Sequence, residues 1–445
     1  MVGSVKGALE RRVLIVVSAF NPAIIADMQR ARMLAWSLPK LGWSVEVLAP
    51  RASEVRQDVV EDGAASFFAP GVPLHEVGAV GRRLLKTIGS HTPVWGTLWP
   101  MWRRGTELLS SKRFDLVFFS TTSFMYFVLG PLWKRRHKVP YVVDFHDPWV
   151  KESGVTSLQP SRSRRRSLDW LSGRAERHVV LNADGLVAVS PNYIAILKMR
   201  YRGNSPAWLS RSRHAVIPFG ALDHDLVEAA KASTPINVQG ADERAICYVG
   251  AGGLMMVRSF ALICRALALL RSQGNVTAIR MRLRLYGTTY NWKPGEPKPL
   301  EIVARESGVG DLVAEFPERI SYRQSLEVLL QSDGAFILGV DDAGYMPSKL
   351  FSYALSGKPL LASLRRDGPA FAQFQRSPQL GHALWFDQSS EMPVAEAASV
   401  LSDFLQQVIA RRNLDRRNIL EPVLAAAMAR RHVELFEACL ATSPA

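Results

Sequence analysis

The chain contains 445 residues, of which 48% are hydrophobic, which excludes a disordered protein and is enough for two domains of roughly 200 residues each. Its formal net charge is +15. All of that excess lies in residues 1–220, which hold 31 basic and 16 acidic side chains against 24 of each in residues 221–445. This split argues against a nucleic-acid-binding protein and indicates that the first half meets an anionic partner.

The first half alternates strand-like and helix-like stretches. Arg12–Ser18 is a β-branched run, typical of a strand buried on both faces of a parallel sheet. Residues 27–41 carry apolar side chains at helical spacing and stop at Gly42, a normal helix end. Further strands are predicted at Val45–Leu48, Asp115–Phe119, Tyr141–Phe145 and Leu186–Ser190. This βαβ repetition predicts an α/β fold with a doubly wound sheet.

Two segments imitate membrane-directed sequences. Basic residues precede the apolar stretch Val13–Val17 near the N-terminus, but the stretch is short and leads into Asn21-Pro22, which favours a first strand over a signal peptide. Residues 114–133 carry one charge, Asp115. The polar residues 120–123 interrupt this segment, so we expect a strand, a turn and a buried helix over Phe124–Leu129 rather than a membrane span.

A second series of strands and helices begins after Val216. Ser259–Arg271 is predicted as an amphipathic helix and Glu421–Leu440 as one final helix. The strands of this series are predicted at Ala245–Val249, Arg280–Tyr286, Ala335–Leu338 and Pro359–Ser363. We therefore expect two Rossmann-like halves. The three cysteines (Cys247, Cys264 and Cys439) have neither zinc-site spacing nor a disulfide pattern, which indicates a reduced, cytoplasmic chain without a bound metal.

Two segments of the second half have features of an anion site. Gly250-Ala251-Gly252-Gly253 joins a predicted strand to a helix, where glycines let backbone N–H groups approach a phosphate; a plain tight turn is an equal interpretation. In the second segment, Pro347 and Ser348 suit a helix start, with Ser348 as the cap. Lys349 in that first turn opposes the helix dipole unless an anion is bound. We expect Lys358, at the helix end, to be solvated.

Three ionisable residues follow the predicted strand at 141–145. Asp144, His146 and Asp147 stand at its carboxyl end, where α/β proteins place ligands, and they would suit acid–base or hydrogen-bonding work. The alternative is that Asp147 caps the next loop and His146 is a packed ring.

Tryptophans and arginines are mixed in two stretches of the first half. Arg103 and Arg104 follow Trp95, Trp99 and Trp102, and Arg164, Arg165 and Arg166 precede Trp170. Such stretches suit a lipid interface with anionic headgroups. The alternative is a solvated face with ordinary core tryptophans.

Seven short motifs occur in an order that resembles a known family. They are Asn21-Pro22 after the first strand, VPYVVDFHDPW (139–149), ADGLVAVS (183–190), VIPFGA (216–221), YVGAGG (248–253), ERISY (318–322) and PSKLFSYALSGKPLLA (347–362). In this order they resemble the nucleotide-sugar glycosyltransferases of the GT-B fold, and are most similar to the family 4 group.

The resemblance implies two Rossmann-like domains facing across a cleft. The expected boundaries are an acceptor domain over 1–215, a donor domain over 216–420, and a helix over 421–445 that crosses back to the first domain. The donor would be a nucleotide diphosphate sugar and the acceptor a saccharide or lipid-linked molecule, in surface glycan or polysaccharide biosynthesis. No metal or other cofactor is implied.

The resemblance also assigns roles to residues. His146, with Asp147, would contact the donor sugar at the reacting centre. The nucleotide sugar would be held by Gly252, Gly253, Arg258, Tyr322, Asp342, Ser348, Lys349 and Ser352. Two glutamates of many family members are replaced here by Gly344 and Ser352. These replacements leave sugar choice and stereochemistry open, with retention slightly favoured.

The resemblance thus implies a metal-independent hexosyltransferase of the cytoplasm. The basic stretches of the first half add a second expectation, peripheral contact with the anionic inner face of the plasma membrane. The missing glutamates favour a different interpretation, a catalytically weak GT-B-like subunit for membrane-associated binding or assembly. A nucleotide-sugar epimerase of the same fold is a third interpretation, and it would need no basic membrane face.

Overall fold

The computed structural model describes residues 11–81, 94–150, 162–231, 243–289 and 292–441, with the side chains of 162–169 excepted. The chain forms two compact units. Unit 1 contains residues 1–219 and 425–445, and unit 2 contains residues 220–424. The boundaries therefore lie after Phe219 and Leu424, where the sequence analysis had placed them after Ala215 and Leu420.

Unit 1 is built on a parallel sheet of seven strands in the order β3-β2-β1-β4-β5-β6-β7. Its strands are β1 (Arg11–Val16), β2 (Trp43–Pro50), β3 (Leu74–Val77), β4 (Leu116–Ser120), β5 (Tyr141–Phe145), β6 (Gly185–Ala188) and β7 (His214–Val216). Strand β1 pairs with β2 on one side and β4 on the other. The chain thus winds outward in both directions from β1, and the doubly wound prediction is confirmed.

Helices cover both faces of this sheet. They are α1 (Gln29–Ser37), α2 (Val94–Ser111), α3 (Leu129–His137), α4 (Arg162–Asn182), α5 (Pro191–Tyr201) and α15 (Ala425–Leu440). Helix α15 follows unit 2 in sequence but packs in unit 1, where Phe436 lies 5.4 Å from the rings of Trp43 and Phe118. The predicted strand and helix within residues 114–133 are present as β4, a 3-10 turn over Phe124–Val128 and α3.

Unit 2 repeats the plan with six parallel strands in the order β10-β9-β8-β11-β12-β13. The strands are β8 (Arg244–Val249), β9 (Met281–Tyr286), β10 (Val313–Phe316), β11 (Gly334–Leu338), β12 (Leu360–Arg365) and β13 (His382–Phe386). The helices are α6 (Asp223–Ala230), α7 (Val257–Ser272), α8 (Val276–Ile279), α9 (Pro299–Glu306), α10 (Tyr322–Gln331), α11 (Leu350–Leu355), α12 (Pro369–Arg376), α13 (Val394–Ile409) and α14 (Arg417–Leu420).

One stretch of unit 2 is long and apolar enough to cross a membrane by length and composition. It spans Gly253–Ser272, which includes α7, and it is the one such helix among the described residues. Phe260, Ile263 and Leu267 from this helix are buried in the core against the sheet of unit 2. Its apolar character is therefore that of a core helix.

Three local predictions are corrected. The final helix does not run from Glu421, because Leu424 has an extended backbone (ψ 155°) that separates a 3-10 turn from α15. Ser348 does not cap α11, which begins at Leu350 with Lys349 at its N-cap. Lys358 is partly buried rather than solvated, and this burial lowers its pKa.

Helices α2 and α3 approach closely at one glycine. A Cβ added at Gly105 would overlap the ring of Trp133, which is buried. Gly173 is also inside a helix, α4, but a Cβ there would meet no atom within 4 Å. The two glycines therefore separate the effect of packing from the effect of helix propensity.

We expect Gly105→Ala to lower the free energy of unfolding by about 1–3 kcal/mol, because the added methyl overpacks the contact with Trp133. Gly173→Ala should raise it by about 0.5–1 kcal/mol, because alanine is the better helix former. Denaturant unfolding of both variants and the wild type measures the difference. Equal effects of the two substitutions would contradict the close packing of α2 on α3.

Candidate functional site

The crevice where a doubly wound sheet changes winding direction is the usual ligand position in such folds. In unit 1 it lies between the carboxyl ends of β1 and β4, and Asp27 occupies it. One carboxylate oxygen of Asp27, Oδ2, accepts hydrogen bonds from Ser18 Oγ (2.6 Å), Thr121 Oγ1 (3.1 Å), and the N–H (3.2 Å) and Oγ1 (3.1 Å) of Thr122. Oδ1 is buried without a hydrogen-bond partner among the described residues.

Asp144, at the end of the neighbouring strand β5, is fully buried. Its Oδ2 atom lies 2.6 Å from Arg30 Nε and accepts hydrogen bonds from Ser120 Oγ (2.9 Å) and His146 Nε2 (2.6 Å). Burial alone would raise the pKa of Asp144, but the charges of Arg30 and His146 outweigh it and hold this pKa well below its usual range. Asp144 is therefore an ionised carboxylate at the centre of the cluster.

Arg30 connects this cluster to the segment where the chain leaves unit 1. Its guanidinium is fully buried, donates to the carbonyls of Ile217 (2.5 Å) and Pro218 (3.4 Å), and lies 5.2 Å from the ring centroid of Phe219. Neither Arg30 nor Asp27 was predicted from the sequence as a site residue. Both are charged residues within the predicted helix 27–41, and nothing else in the sequence marks them.

His146 is oriented by Asp144. Because Asp144 is ionised, Nε2 donates its proton to this carboxylate, and Nδ1 is the ring nitrogen left for another partner. Nδ1 is buried and has no hydrogen-bond partner among the described residues, and the ring packs edge-on against Phe219 at 4.9 Å. The predicted partner Asp147 is exposed. The structure thus pairs His146 with Asp144, two residues before it.

In unit 2 the equivalent crevice lies between β8 and β11. The glycine turn 250–253 follows β8 directly. The N–H of Gly250 is donated to Tyr286 O (2.9 Å) and that of Gly252 to Thr288 O (3.0 Å). These two amides therefore hold the turn against β9 and the residues after it. In this conformation they are not free to donate to a phosphate, which is the role that the sequence had predicted for the turn.

Lys349 lies directly over this turn. Its side chain is partly buried, and its ammonium donates to Val249 O (2.5 Å) and Tyr248 Oη (3.3 Å) and lies 4.3 Å from the ring centroid of Tyr248. A Cβ at Gly250, whose φ is +139°, would overlap the Lys349 Nζ atom. Glycine at position 250 thus suits the positive φ and leaves room for the Lys349 ammonium, a relation that the sequence did not reveal.

Lys349 is a partly buried cation without a counter-ion among the described residues. No carboxylate of a described residue pairs with it, and its desolvation lowers its pKa to about 7. An anion in contact with the ammonium would supply the missing charge and raise this pKa. The arrangement is therefore suited to bind an anionic group at the crevice of unit 2.

Tyrosines hold the strand end beneath Lys349. The Tyr353 hydroxyl accepts the N–H of Val249 (2.8 Å) and donates to its carbonyl (3.1 Å). The same carbonyl accepts the hydrogen bond from Lys349. Val249 is therefore fixed from three directions, and the ammonium position is set by buried groups.

The other predicted donor-binding residues are not all gathered around Lys349. Arg258 Nη1 lies 3.6 Å from Asp341 Oδ2 and its guanidinium donates to the carbonyls of Gln388 and Ser390 (both 3.4 Å). The Tyr322 hydroxyl donates to Asp225 (2.8 Å). Asp342 is exposed and accepts the N–H of Gly344 (2.7 Å). Ser348 and Ser352 are partly exposed. Their roles toward a donor stay predictions.

The predicted acceptor or membrane face is described in part. Arg103 and Arg104 both lie on α2 and pair with Glu107, at 3.1 and 3.2 Å. The side chains of Arg164, Arg165 and Arg166 lie outside the described residues. Within the described ranges, no group of three or more His, Cys, Asp or Glu side chains is suited to hold a metal ion.

Comparison with known proteins identifies the class of fold. Residues 28–220 match the family model described as a glycosyl transferase 4-like domain. The structure is similar to the catalytic domain of starch synthase IV from Arabidopsis thaliana, bound to ADP and acarbose (12% identity, TM-score 0.61, covering 97% of this chain and 100% of that one). The comparison with curated proteins finds no match.

Two bacterial structures are similar over the whole chain as well. They are the sucrose-phosphate synthase of Thermosynechococcus elongatus (17% identity, TM-score 0.58, covering 97% of this chain and 100% of that one) and HepE of Anabaena in complex with UDP and glucose (12% identity, TM-score 0.58, covering 96% and 100%). The chain therefore has the GT-B fold. Within it, residues 28–220 are the part that matches the model of a glycosyl transferase 4-like domain.

The uncompensated Lys349 makes stability depend on pH in a defined direction. Its pKa is about 7 in the folded chain against 10.5 for the free group. Between these values the unfolded lysine binds a proton that the folded lysine does not, so stability rises with pH across this window. The free energy of unfolding of the wild type, minus that of Lys349→Met, should therefore increase between pH 7 and pH 10.

Denaturant unfolding of both proteins at several pH values measures this difference, and the subtraction removes the titration of all other groups. A difference that does not change with pH would show that Lys349 is solvated in the folded chain.

Proposed function

We propose that this protein is a glycosyltransferase that moves a sugar from a nucleotide diphosphate sugar to a saccharide or lipid-linked acceptor. The observation that carries the proposal is the partly buried ammonium of Lys349, which no described carboxylate pairs with, over the glycine turn that follows β8. A diphosphate is the anion that this site suits, because it is the leaving group of such a donor. The complex of HepE with UDP and glucose supports this choice.

Sugar transfer from such a donor leaves negative charge on the departing diphosphate, and the protein has to stabilise this charge. A fixed cation in a desolvated position does this better than a solvated one, because no water has to reorganise as the charge develops. Lys349 fills this role without a bound metal ion. Arg258 is a second cation of unit 2, and it would have to leave Asp341 and the carbonyls of Gln388 and Ser390 to reach the diphosphate.

His146 is proposed to contact the transferred sugar. Its Nε2 atom is held by Asp144, so Nδ1 is the ring atom available to a sugar hydroxyl or to the reacting centre. In this proposal Asp144 and Arg30 are positioning residues, which act through the orientation of the imidazole. Retention of configuration is slightly favoured by the family resemblance, and the transferred group is a hexose in surface glycan or polysaccharide synthesis.

The cytoplasm is the proposed compartment. Cys247, Cys264 and Cys439 are all free thiols and buried, as expected of a chain in a reducing environment.

A binding or assembly subunit with weak catalysis is the second candidate. Gly344 and Ser352 stand where many relatives carry two glutamates, and no described carboxylate pairs with Lys349 in their place. Nucleotide binding is common to both candidates. Turnover is not, so the experiments below measure binding and turnover separately.

Lys349→Met should weaken UDP binding by at least tenfold at pH 6.5, since a charge-assisted contact is worth about 1.5–3 kcal/mol. The affinity of the wild type should fall, relative to the variant, as the pH rises above 7, because the free lysine loses its proton there. Isothermal titration calorimetry of both proteins between pH 6 and pH 9 measures this. Equal affinities at every pH would remove Lys349 from the donor site.

Gly250→Ala offers an independent test with a matched control. Gly250 and Gly274 both have positive φ, but only a Cβ at Gly250 would overlap Lys349 Nζ, whereas the space around Gly274 is open. Both variants should lose stability from backbone strain. Only Gly250→Ala should also lose UDP affinity, because it displaces the ammonium.

His146→Ala should lower kcat for transfer or for slow donor hydrolysis by about 100-fold or more, the usual contribution of a positioned acid–base group. UDP affinity should stay within about threefold, because the proposed nucleotide contacts belong to unit 2. A panel of nucleotide sugars, screened by thermal stabilisation, selects the donor for the assay. Parallel losses of kcat, UDP affinity and melting temperature would identify a packed structural histidine. Donor binding without turnover in the wild type would favour the binding subunit.

A further inference from the structure

Three neighbouring helices form one outer layer of unit 1. Helix α3 contacts both α2 and α4. All three bury apolar side chains in the same core cluster, with Leu108 from α2, Trp133 from α3 and Val180 from α4. They therefore lie on the same side of the sheet, and their outer sides face away from it together.

This layer exposes large apolar side chains from each helix. Trp99 on α2 is 53% exposed, Leu132 on α3 is 48% exposed and Trp170 on α4 is 62% exposed. Trp95, one turn before Trp99, and Leu171, next to Trp170, are exposed as well. These five residues are called the tryptophan face. Exposed tryptophans from separate helices on one side of a unit mark an interaction surface.

The three helices that carry the tryptophan face are strongly basic, although one of their basic residues, Lys134, pairs with Asp184 (2.7 Å). In α2, α3 and the described part of α4, seven basic residues accompany two acidic ones, Glu107 and Glu176. Glu176 is buried and bonded to Arg200 and Tyr201, so it contributes little to the outer surface. The seven basic residues are Arg103, Arg104, Lys134, Arg135, Arg136, Arg174 and Arg177.

Arginines and tryptophans are paired on this face. The guanidinium of Arg103 lies 5.8 Å from the ring centroid of Trp99, and that of Arg174 lies 4.9 Å from Trp170. Beside the second pair, a shallow open depression is lined by Arg174, Arg177, His178, Leu181 and Asn182. The face thus offers apolar rings beside cationic groups and an open cationic recess.

From this arrangement we propose that the tryptophan face docks unit 1 onto the surface of an anionic lipid bilayer. Tryptophan rings suit the boundary between headgroups and acyl chains, and arginines beside them meet lipid phosphates. Each basic residue near an anionic bilayer adds to the attraction. The depression between Arg174 and His178 is of a kind that receives a phosphate headgroup.

A second copy of the chain is the competing occupant, and its charge argues against it. A two-fold interface places the same patch on both subunits. Such a contact would bring Arg103 and Arg174, which lie beside the tryptophans, of one copy near those of the other, and like charges in contact are costly. An anionic surface compensates the same residues.

The test uses the full chain and sedimentation with vesicles of pure phosphatidylcholine or of phosphatidylcholine with 30% phosphatidylglycerol. The wild type should partition at least tenfold more strongly onto the anionic vesicles, and added salt should weaken this partitioning, because exposed charges are screened. Trp99→Ser with Trp170→Ser should reduce it at least tenfold, as should Arg103→Gln with Arg174→Gln.

Matched controls come from unit 2. Val276→Ser with Ile279→Ser changes two residues that are 66% and 45% exposed, and Arg412→Gln removes an exposed arginine. These variants should pellet like the wild type. All the variants change exposed side chains, so their melting temperatures should stay close to that of the wild type.

Three outcomes would overturn the proposal. They are equal binding to neutral and anionic vesicles, unchanged pelleting of the two face variants, and a wild-type dimer in solution that the tryptophan variant converts to a monomer. Donor hydrolysis by soluble protein is measured in parallel and should be unchanged in every face variant. Vesicle binding and donor hydrolysis are thus measured separately. An inactive protein that still binds anionic vesicles would contradict the proposed function and leave the docking surface standing.

Discussion

The buried ion pair of Arg30 and Asp144 is the interaction on which unit 1 depends. It joins α1 to the end of β5, and Arg30 also binds the carbonyls of Ile217 and Pro218 at the end of this part of the unit. Burying two charges is costly unless each is fully bonded, and removing one partner from such a pair typically costs about 3–5 kcal/mol. His146 takes its orientation from the same carboxylate, so the site inherits the rigidity of the core.

The two crevices hold different charged groups. In unit 1 the carboxylates of Asp27 and Asp144 lie at the strand ends, with Arg30 paired to Asp144, although that half of the sequence carries the whole basic excess. In unit 2, whose half of the sequence is electrically balanced, the group is the lone cation Lys349. The net charge of each half of the sequence therefore does not predict the sign of the charged groups in its crevice.

The sequence predicts the interior of both sheets and misses their borders. Every strand that it did not reveal, β3, β7, β10 and β13, is the outermost strand of its sheet. An edge strand is covered on fewer sides and lacks the continuous apolar run that identifies a central one; β10, for example, contains Glu315. The predicted site residues lie at or after the carboxyl ends of central strands, where a short sequence motif identifies them. They are Asp144, His146, the glycine turn and Lys349.

Arg30, Asp27 and Tyr353 could not be found in this way, because their partners are distant in sequence. Arg30 reaches Asp144 and Ile217, and Tyr353 reaches Val249. The pairing of Lys349 with Gly250 has the same character, since each looked plausible alone and only the structure shows that the glycine leaves room for the lysine. Single-sequence reasoning identifies the members of a site more readily than the contacts that fix them.

The interrupted path of unit 1 has a consequence for its biosynthesis. Residues 425–441 belong to unit 1 but are translated after all of unit 2. At about 5–20 residues per second, the ribosome needs roughly 10–40 s to make the intervening segment. During that interval the sheet surface of Trp43 and Phe118, which Phe436 finally covers, is without its helix. The nascent chain thus presents an apolar surface that chaperones can bind until its last helix emerges.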